Sequence, residues 1–458
     1  MTGLVAILDI GKTHIKLHVL DESGELIEAF ELANQVVTSG PYPHYDTDSH
    51  WDWLLDTLAG FNAVGDISKI VPVTHGAAAA LVDETGLVLP VLDYEYEGVA
   101  STDTQYELLR DPFEDSLSPK LPLGLNLAHQ LHWQQQHFPE AFSRATALLL
   151  YPQYWAWRLS GVLATELTSL GAHSDLWRPE KKDFSSLVSR MSWTRLIPPI
   201  QPAWQVLGTI RQDVAVRTGL SANCEILCGI HDSNASYLRY IKDQSESISV
   251  VSTGTWVICM GGSISTRQLD EQRDMLANVD VFGQPVPCAR FMGGREFAVI
   301  SETLGKQAGS SLENVRNYVQ QGTMALPSFA QTGGPFMNQT GQFVYGSQGS
   351  SVDGPTLGSL YCALVTDYCL DLLDARDRIV IEGPFIKDKV FTGTLAALRP
   401  EQEICVSSDM TGTVSGACLL ANWEVQQQRP ASGQITAMDL PGIFRYRDQW
   451  RNGGLADE

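Results

Sequence analysis

The sequence predicts two α/β domains of related design with a cleft between them, and three observations carry the prediction. The chain has 458 residues, which at roughly 100–200 residues per domain leaves room for two large ones. Apolar residues make up 44% and charged residues 18%, a composition that fills more than one core and excludes disorder as the main state. The third observation is a repeated pattern. An apolar strand, a Gly/Thr turn and a second apolar strand occur at LVAILDI-GKT-HIKLHVLD and again at SISVVSTGTWVICMGG. Laid over one another, Asp9-Ile10-Gly11-Lys12-Thr13 falls on Ser252-Thr253-Gly254-Thr255, a weak internal duplication.

The elements follow in order. After the first hairpin, EAFELAN extends an antiparallel meander. Trp53, Leu54, Leu58 and Phe61 recur at helical spacing. KIVPVTHG reads as a short buried strand ending in a loop, and LPVLDY as another strand. Leu125–His137 is helical, with Pro139 just beyond, and YPQYWAWRLSG is a helix closed by Gly161. A boundary is expected near 222–230, giving domains at 1–225 and 226–440. Beyond the second hairpin, helices are expected around Arg295–Gly305, Ser311–Gln321, Leu357–Ala375 and Lys389–Leu398, and at TVSGACLLANWEV, with strands at RIVIEG and EICVSS. From Arg429 the mixture of Pro, Gly and charge reads as a peripheral tail, with 441–458 as its end.

The formal net charge is -22, which repels phosphate backbones and anionic lipid, so neither nucleic acid nor membrane is expected as a partner. A local nest of amides still binds phosphate on an acidic protein. No apolar run approaches the ~20 residues of a membrane helix, and Asp9 interrupts the apolar N-terminal stretch, so a cytoplasmic location is expected. The eight cysteines form no CxxC pair and read as buried apolar residues in a reducing compartment. The ten histidines show no HExxH spacing, which makes a histidine-built metal site a poor expectation.

Four segments carry chemistry. In DIGKTHIK, Gly11 allows a close backbone approach, Thr13 and Lys12 or Lys16 offer groups to phosphoryl oxygens, and Asp9 at the strand end suits a hydrated magnesium ion. The GKT triplet is not a Walker loop, because Ala6 stands where that loop needs glycine and a strand follows the turn. An ordinary hairpin is the alternative. In STGTW, hydroxyl residues flank a glycine between apolar strands as a second phosphate clamp, with a plain turn as the alternative. In GIHDSNAS, Asp232 at a helix start suits a base that accepts a hydroxyl proton, or an N-cap, with His231 beside it as a packing or supporting group. In VTHGAAA, His75 suits a donor to a polyol or a satisfied loop histidine.

These segments, in this order and over most of the chain, resemble the FGGY carbohydrate kinases of the actin-like superfamily. The family's DxGTTxxR/K hairpin is matched by Asp9 to Lys16, with Lys12 in place of the first Thr. Its GxxD base segment is matched by Gly229-Ile230-His231-Asp232, and its hydroxyl-rich second hairpin by Ser252-Thr253-Gly254-Thr255. LHWQQQHFPEAF and YWAWRLSGVLATELTSLGAHSDLW resemble its middle region. Its GGG-like adenosine loop is represented by Glu382-Gly383-Pro384-Phe385, a departure, and its late Gly-Ala segment by Gly412 and Ser415–Ala417. VTHG is similar to the GQMHG loop of xylulose kinases, while LDYEYEG replaces the usual W-x-D-x-R.

The resemblance implies two actin-like (ribonuclease H-like) domains and transfer of the ATP γ-phosphoryl group to a ketose hydroxyl, with ATP and Mg2+ required. It implies Asp232 as catalytic base and Asp9 as the magnesium residue. Phosphate or nucleotide contacts fall on Asp9, Gly11, Lys12, Thr13, Lys16, Ser252, Thr253, Gly254, Thr255, Gly383 and Gly412. Sugar contacts fall on His75, Gly76, Asn126, His231 and Asp232. The pattern is most similar to the rhamnulose-kinase-like branch, which points to L-rhamnulose or L-fuculose, then to a pentulose such as D-xylulose or L-ribulose. A homodimer is compatible with it. The rival reading is a non-catalytic ATP- or sugar-binding protein on the same fold.

Overall fold

In the computed structural model the described residues are 3–61, 66–242, 247–305, 310–330, 333–346, 352–407, 412–426 and 432–454. The chain forms two compact units. One comprises 1–243, 277–285 and 411–428, and the other 244–276, 286–410 and 429–458. The sequence suggests a single cut near residue 225. The units instead interleave, with 277–285 and 411–428 folding into the first.

The first unit is built on a seven-stranded sheet. Leu4–Ile10, His14–Leu20 and Leu26–Ala33 form the expected antiparallel meander. Ile67–Thr74 lies parallel to Leu4–Ile10, and Glu225–Leu227 and Ile230–His231 lie parallel to Ile67–Thr74. The parallel strands read as near-continuous apolar runs because helices cover both faces. Helices Thr47–Phe61 and Tyr151–Ser160 contribute Leu54, Leu58, Phe61, Trp155 and Leu159 to the core on one face. Helices Asp232–Ile241 and Gly412–Ala421 cover the other with Ala235, Leu238, Val414 and Ala417. These two helices meet closely, since a Cβ on Gly416 would fall 1.7 Å from the Ala235 carbonyl oxygen. LPVLDY is not a strand; only Leu92 makes an isolated bridge, to His44. Pro90 in its middle carries no N–H for a ladder.

The second unit repeats the plan. Ile248–Thr253 and Val257–Met260 form the expected hairpin, extended by Pro285–Phe291. Arg378–Glu382 lies parallel to Ile248–Thr253, and Ile404–Ser407 parallel to that. Helix Gly354–Leu372 is buried along nearly its whole length. The stretch expected as a peripheral tail is instead integrated. Helix Ile443–Gly454 buries Tyr446 and Trp450, whose polar atoms donate to the carbonyls of Thr323 (2.6 Å) and Ala325 (2.7 Å). Arg451 also pairs with Asp367 and Asp371 on the buried helix. The aromatic residues spaced four apart were the signal for this docked helix.

Candidate active site

Parallel strands point their carboxyl ends one way, which gathers side chains from distant parts of the sequence. In the first unit Ile10 pairs with Thr74, and Thr74 with His231. Asp9, His75 and Asp232 therefore belong to the same end of three neighbouring strands. Three of the four segments singled out in the sequence meet here.

Asp9 is partly buried and faces an acidic neighbour. Burial first, then the charge of Asp232, pushes its carboxyl up to about 7, against the pull of Lys16 across the hairpin. The turn that follows is tied internally. Gly11 N donates to the His14 carbonyl, and Asn34 donates from its side chain to Gly11 O (2.8 Å) and from its backbone to Thr13 O (2.9 Å). Gly11 has no positive φ. Its role is closeness, since a Cβ would meet His14 O at 3.2 Å. Thr13 is exposed and hydrogen-bonds His14 Nδ1 at 3.0 Å, and Lys16 pairs with Glu31 at 3.6 Å. Lys12 does not extend toward the turn's amides. Its ammonium pairs with Asp93, a residue of the LDYEYEG loop.

His75 is buried among the rings of Tyr45, Tyr94 and Tyr151, at centroid distances of 5.1, 5.6 and 5.3 Å. Its Nδ1 lies 2.8 Å from Gly76 O. A carbonyl only accepts, so Nδ1 carries the proton and Nε2 is an acceptor. That Nε2 has no hydrogen-bond partner among the described residues. Burial lowers the imidazole pKa and keeps it neutral. Ala77, next but one, has φ 53°, a strained conformation held by the Gln130 side chain donating to Ala77 O at 2.7 Å.

Asp232 opens helix Asp232–Ile241, and its Oδ1 accepts from Ser233 N at 2.5 Å. The preceding Gly229 has φ 85°, and a Cβ there would lie 2.4 Å from Pro72 O, so only glycine fits this crossing. His231 is oriented by two groups. Its N–H donates to Thr168 Oγ1 (3.1 Å), and its Nδ1 lies 3.1 Å from Asn234 Oδ1. The Asn234 amide nitrogen donates to Val279 O, which fixes which end of the amide faces the ring. His231 Nδ1 is thus the donor, and Nε2 faces Asp232 Oδ1 at 3.3 Å. Gly76 leaves room for that ring, since a Cβ would fall 2.8 Å from Nε2. Behind Thr168 stands Glu166, whose carboxylate accepts from Thr168 N, Thr168 Oγ1 and Ser169 N. Burial pushes Glu166 up to about 7.

Asn126 has a different job from the sugar contact expected of it. Its Oδ1 accepts from Leu121 N, and its Nδ2 donates to Ser118 Oγ, Pro119 O and His173 O. It staples the loop at 118–126. Gly412 packs against its own unit, where a Cβ would fall 2.4 Å from Arg239 and 2.7 Å from Ser236 Oγ. That explains the glycine by helix packing.

In the second unit Ser252 pairs with Glu382, which places Gly383 beside Thr253. Thr253 is buried. Its hydroxyl donates to Glu382 O and accepts from Phe385 N at 3.1 Å, so it braces the turn. Gly383 has φ 82°, and a Cβ there would fall 2.0 Å from Thr253 O. Gly254 and exposed Thr255 remain open at the turn, beside the start of helix Gly293–Leu304, where Gly294 N donates to Thr255 O at 3.2 Å. Among the described residues no group of three or more His, Cys, Asp or Glu side chains could hold a metal ion.

Several residues here escaped sequence reasoning. Asp93 and Tyr94 end LPVLDY, which the sequence presents as a strand, and Tyr45 lies in the two-residue strand His44–Tyr45, so nothing local marks them as site residues. Glu166 and Thr168 had a readable sign, the E-x-T spacing of a short capped helix. Asn234 sits three residues after His231, one helical turn on.

Comparison with known proteins gives a consistent picture. A family model described as the FGGY family of carbohydrate kinases, N-terminal domain, matches residues 116–238. A second, described as carbohydrate kinase FGGY, C-terminal domain, matches residues 245–430. The chain is 34% identical to a carbohydrate kinase from Novosphingobium aromaticivorans of known crystal structure, with a TM-score of 0.90 over 100% of this chain and 99% of that one. It is 24% identical to an L-fuculokinase of Salmonella typhi over 289 residues, 60% of this chain and 61% of that protein. This match therefore spans less than two thirds of that relative. A Plasmodium falciparum glycerol kinase solved with ADP shares the fold at 13% identity, with a TM-score of 0.81 over 99% of this chain and 98% of that one.

Proposed function

The chain belongs to the FGGY family of carbohydrate kinases, and from that premise we propose that it transfers the γ-phosphoryl group of ATP to a hydroxyl of a neutral ketose, with Asp232 as the base. The observation that carries the reading is the joint placement of Asp232 and the unpartnered, buried Nε2 of His75 at one end of the same sheet. His75 Nε2 accepts a hydrogen bond from a sugar hydroxyl, and the surrounding tyrosine rings exclude water from that bond. Asp232 accepts the proton of the attacking hydroxyl. His231 Nε2, oriented by Asn234, stands 3.3 Å from Asp232 Oδ1 and can carry that proton onward. Little covalent chemistry is asked of the protein, because phosphoryl transfer depends on alignment and charge neutralisation.

Phosphate contacts are assigned to the turn amides near Gly11 and Thr13 in the first unit, and to Gly254 and Thr255 in the second. The raised Asp9 carboxyl, close to a second acid, fits a divalent cation that offsets the repulsion between them. Asp9 would hold magnesium there, and the ion would supply charge neutralisation to the phosphate oxygens. L-fuculose and L-rhamnulose are the preferred acceptors, by the family resemblance and the relatives named L-fuculokinase. A pentulose is the second choice, since proteins named xylulose kinase also align. A purely binding protein would have no need for a base beside the sugar-facing histidine. The test is ADP release with magnesium-ATP over a panel of ketoses and polyols, on wild type and Asp232→Ala. Sugar-dependent turnover that disappears in the variant supports the reading. Failure of every ketose to stimulate turnover sinks it.

A further inference from the structure

Lys12 stands in the phosphate turn, where the family pattern has a threonine, yet its side chain serves another part of the first unit. Its ammonium pairs with Asp93 and lies 3.4 Å from Glu95 and 3.5 Å from the Tyr45 hydroxyl. It also sits over the Tyr94 ring, 4.6 Å from the centroid, and near the Tyr45 ring at 5.3 Å. Asp93 is buried. Its other side-chain partners are the Tyr45 hydroxyl at 3.2 Å and Glu95 N at 3.2 Å. A buried carboxylate without a cation is costly, and removing one partner leaves the other uncompensated.

The loop that Asp93 anchors is the one carrying Tyr94 against His75. Tyr45, on the other side of Lys12, also packs on His75. Backbone bonds, and the packing of Leu92 and Tyr96 against Tyr42 and Trp133, also tie this loop down. Asp93 N donates to Pro43 O, Tyr45 N to Val91 O, and Gly124 N to Tyr94 O. These fix where the chain runs. The Lys12 ammonium meets the side chains of Asp93, Tyr94 and Tyr45, and the two tyrosines pack on the histidine.

We infer that Lys12 is a sugar-side positioning residue: through Asp93, Tyr94 and Tyr45 it holds the wall around His75 in place, and it links the phosphate turn to sugar recognition instead of binding phosphate itself. The inference rests on the kinase reading above and deepens it. It also accounts for the missing W-x-D-x-R pattern, since a lysine from the turn and the LDYEYEG loop together shape this wall. Asp93 and Glu95 together outweigh the lysine's charge, so the wall disfavours an anionic sugar and suits an uncharged one.

The test is a kinetic split, combined with titration of the ketose alone by calorimetry. Lys12→Thr restores the family residue and is expected to raise the ketose KM and Kd about tenfold, while the ATP KM moves by less than about twofold and kcat falls less than the ketose KM rises. Asp93→Asn is expected to give the same signature, and the double variant no more than the stronger single one. Lys12→Arg keeps a cation over the ring and beside Asp93, and is expected to recover most of the sugar affinity. A purely structural role would lower thermal stability without separating the two substrates. A Lys12→Thr protein that loses affinity for ATP and keeps it for the ketose overturns the inference, as does one in which neither changes. A wild-type protein that binds and phosphorylates no ketose overturns the kinase reading and this inference together.

Discussion

The two hairpin-bearing sheets are built alike and furnished differently. In the first unit the carboxyl ends of the parallel strands carry Asp9, His75 and Asp232, with Glu166 behind them. In the second, Ser252 and Pro384 after Gly383 take the places of Asp9 and His75, while the place of Asp232 lies outside the described residues. One end holds groups that give, take and orient protons. Among the described residues, the other offers backbone amides and hydroxyls at its turn, with the buried Glu382 at the end of the paired strand. On the proposed function, a duplicated scaffold supports a division of labour, in which both copies offer a phosphate turn and only the first adds the base and the sugar-facing histidine. Burial pushes Asp9 and Glu166 up to about 7 in the first unit, and it also raises the carboxyls of Glu296 and Asp367 in the second.

The largest effect expected from this contrast is at Asp232. Asp232→Asn removes the proton acceptor and keeps the shape, and kcat should fall by about 10²–10⁴, read by steady-state ADP release. Next come matched substitutions, one on each copy. His75→Gln should raise the ketose KM by about tenfold with a small change for ATP. Gly254→Ala should do the reverse. Its new Cβ meets nothing nearer than the Trp256 carbonyl at 3.8 Å, so the fold tolerates it while a phosphate oxygen loses its approach. If both variants shift the same substrate, the division of labour is wrong. Asn234→Leu leaves His231 Nδ1 without its acceptor and frees the ring, and should lower kcat by about tenfold with the ketose KM nearly constant.

The smallest effect is thermodynamic. Glu166 has a folded pKa of about 7, above the ordinary 4.5. A carboxyl whose folded pKa is raised favours the folded state fully only below its unfolded pKa, and that contribution is lost as pH climbs toward the folded value. The loss over this window is on the order of 3 kcal/mol at one site. Glu166→Gln should therefore flatten the fall in thermal midpoint between about pH 4.5 and pH 7. Asp9, raised by a similar amount, keeps part of the slope. An unchanged slope in Glu166→Gln would show that this carboxyl is not the source.

Much of this contrast was legible in the sequence, because hairpins with apolar strands and small turn residues are local patterns. DIGKTHIK, STGTW, GIHDSNAS and VTHG each announce themselves within a few residues, and the duplication ties two of them together. The partners of those segments were not legible. Lys12 looks like a phosphate ligand until Asp93, far along the chain, is seen to claim it. Asn126 looks like a polar group free for sugar until its amide is seen to be engaged by its own loop and by His173 O. Thr253 looks like a phosphate hydroxyl until Glu382 and Phe385 take both of its bonds. In each case a long-range hydrogen bond, set by sheet order and loop path, decides what a locally suggestive side chain does. The docked C-terminal helix teaches the same lesson, since its polar composition hid two buried aromatics.

The measurement that bears most directly on the central claim separates binding from chemistry at Asp232. Asp232→Asn and wild type would be titrated with the preferred ketose by calorimetry, and their kcat values compared at saturating sugar and magnesium-ATP. A base acting on the first unit predicts ketose affinity within about threefold of wild type and kcat lower by at least about a hundredfold. Near-normal kcat at saturation, with weakened sugar binding, would make Asp232 a sugar ligand and contradict the account.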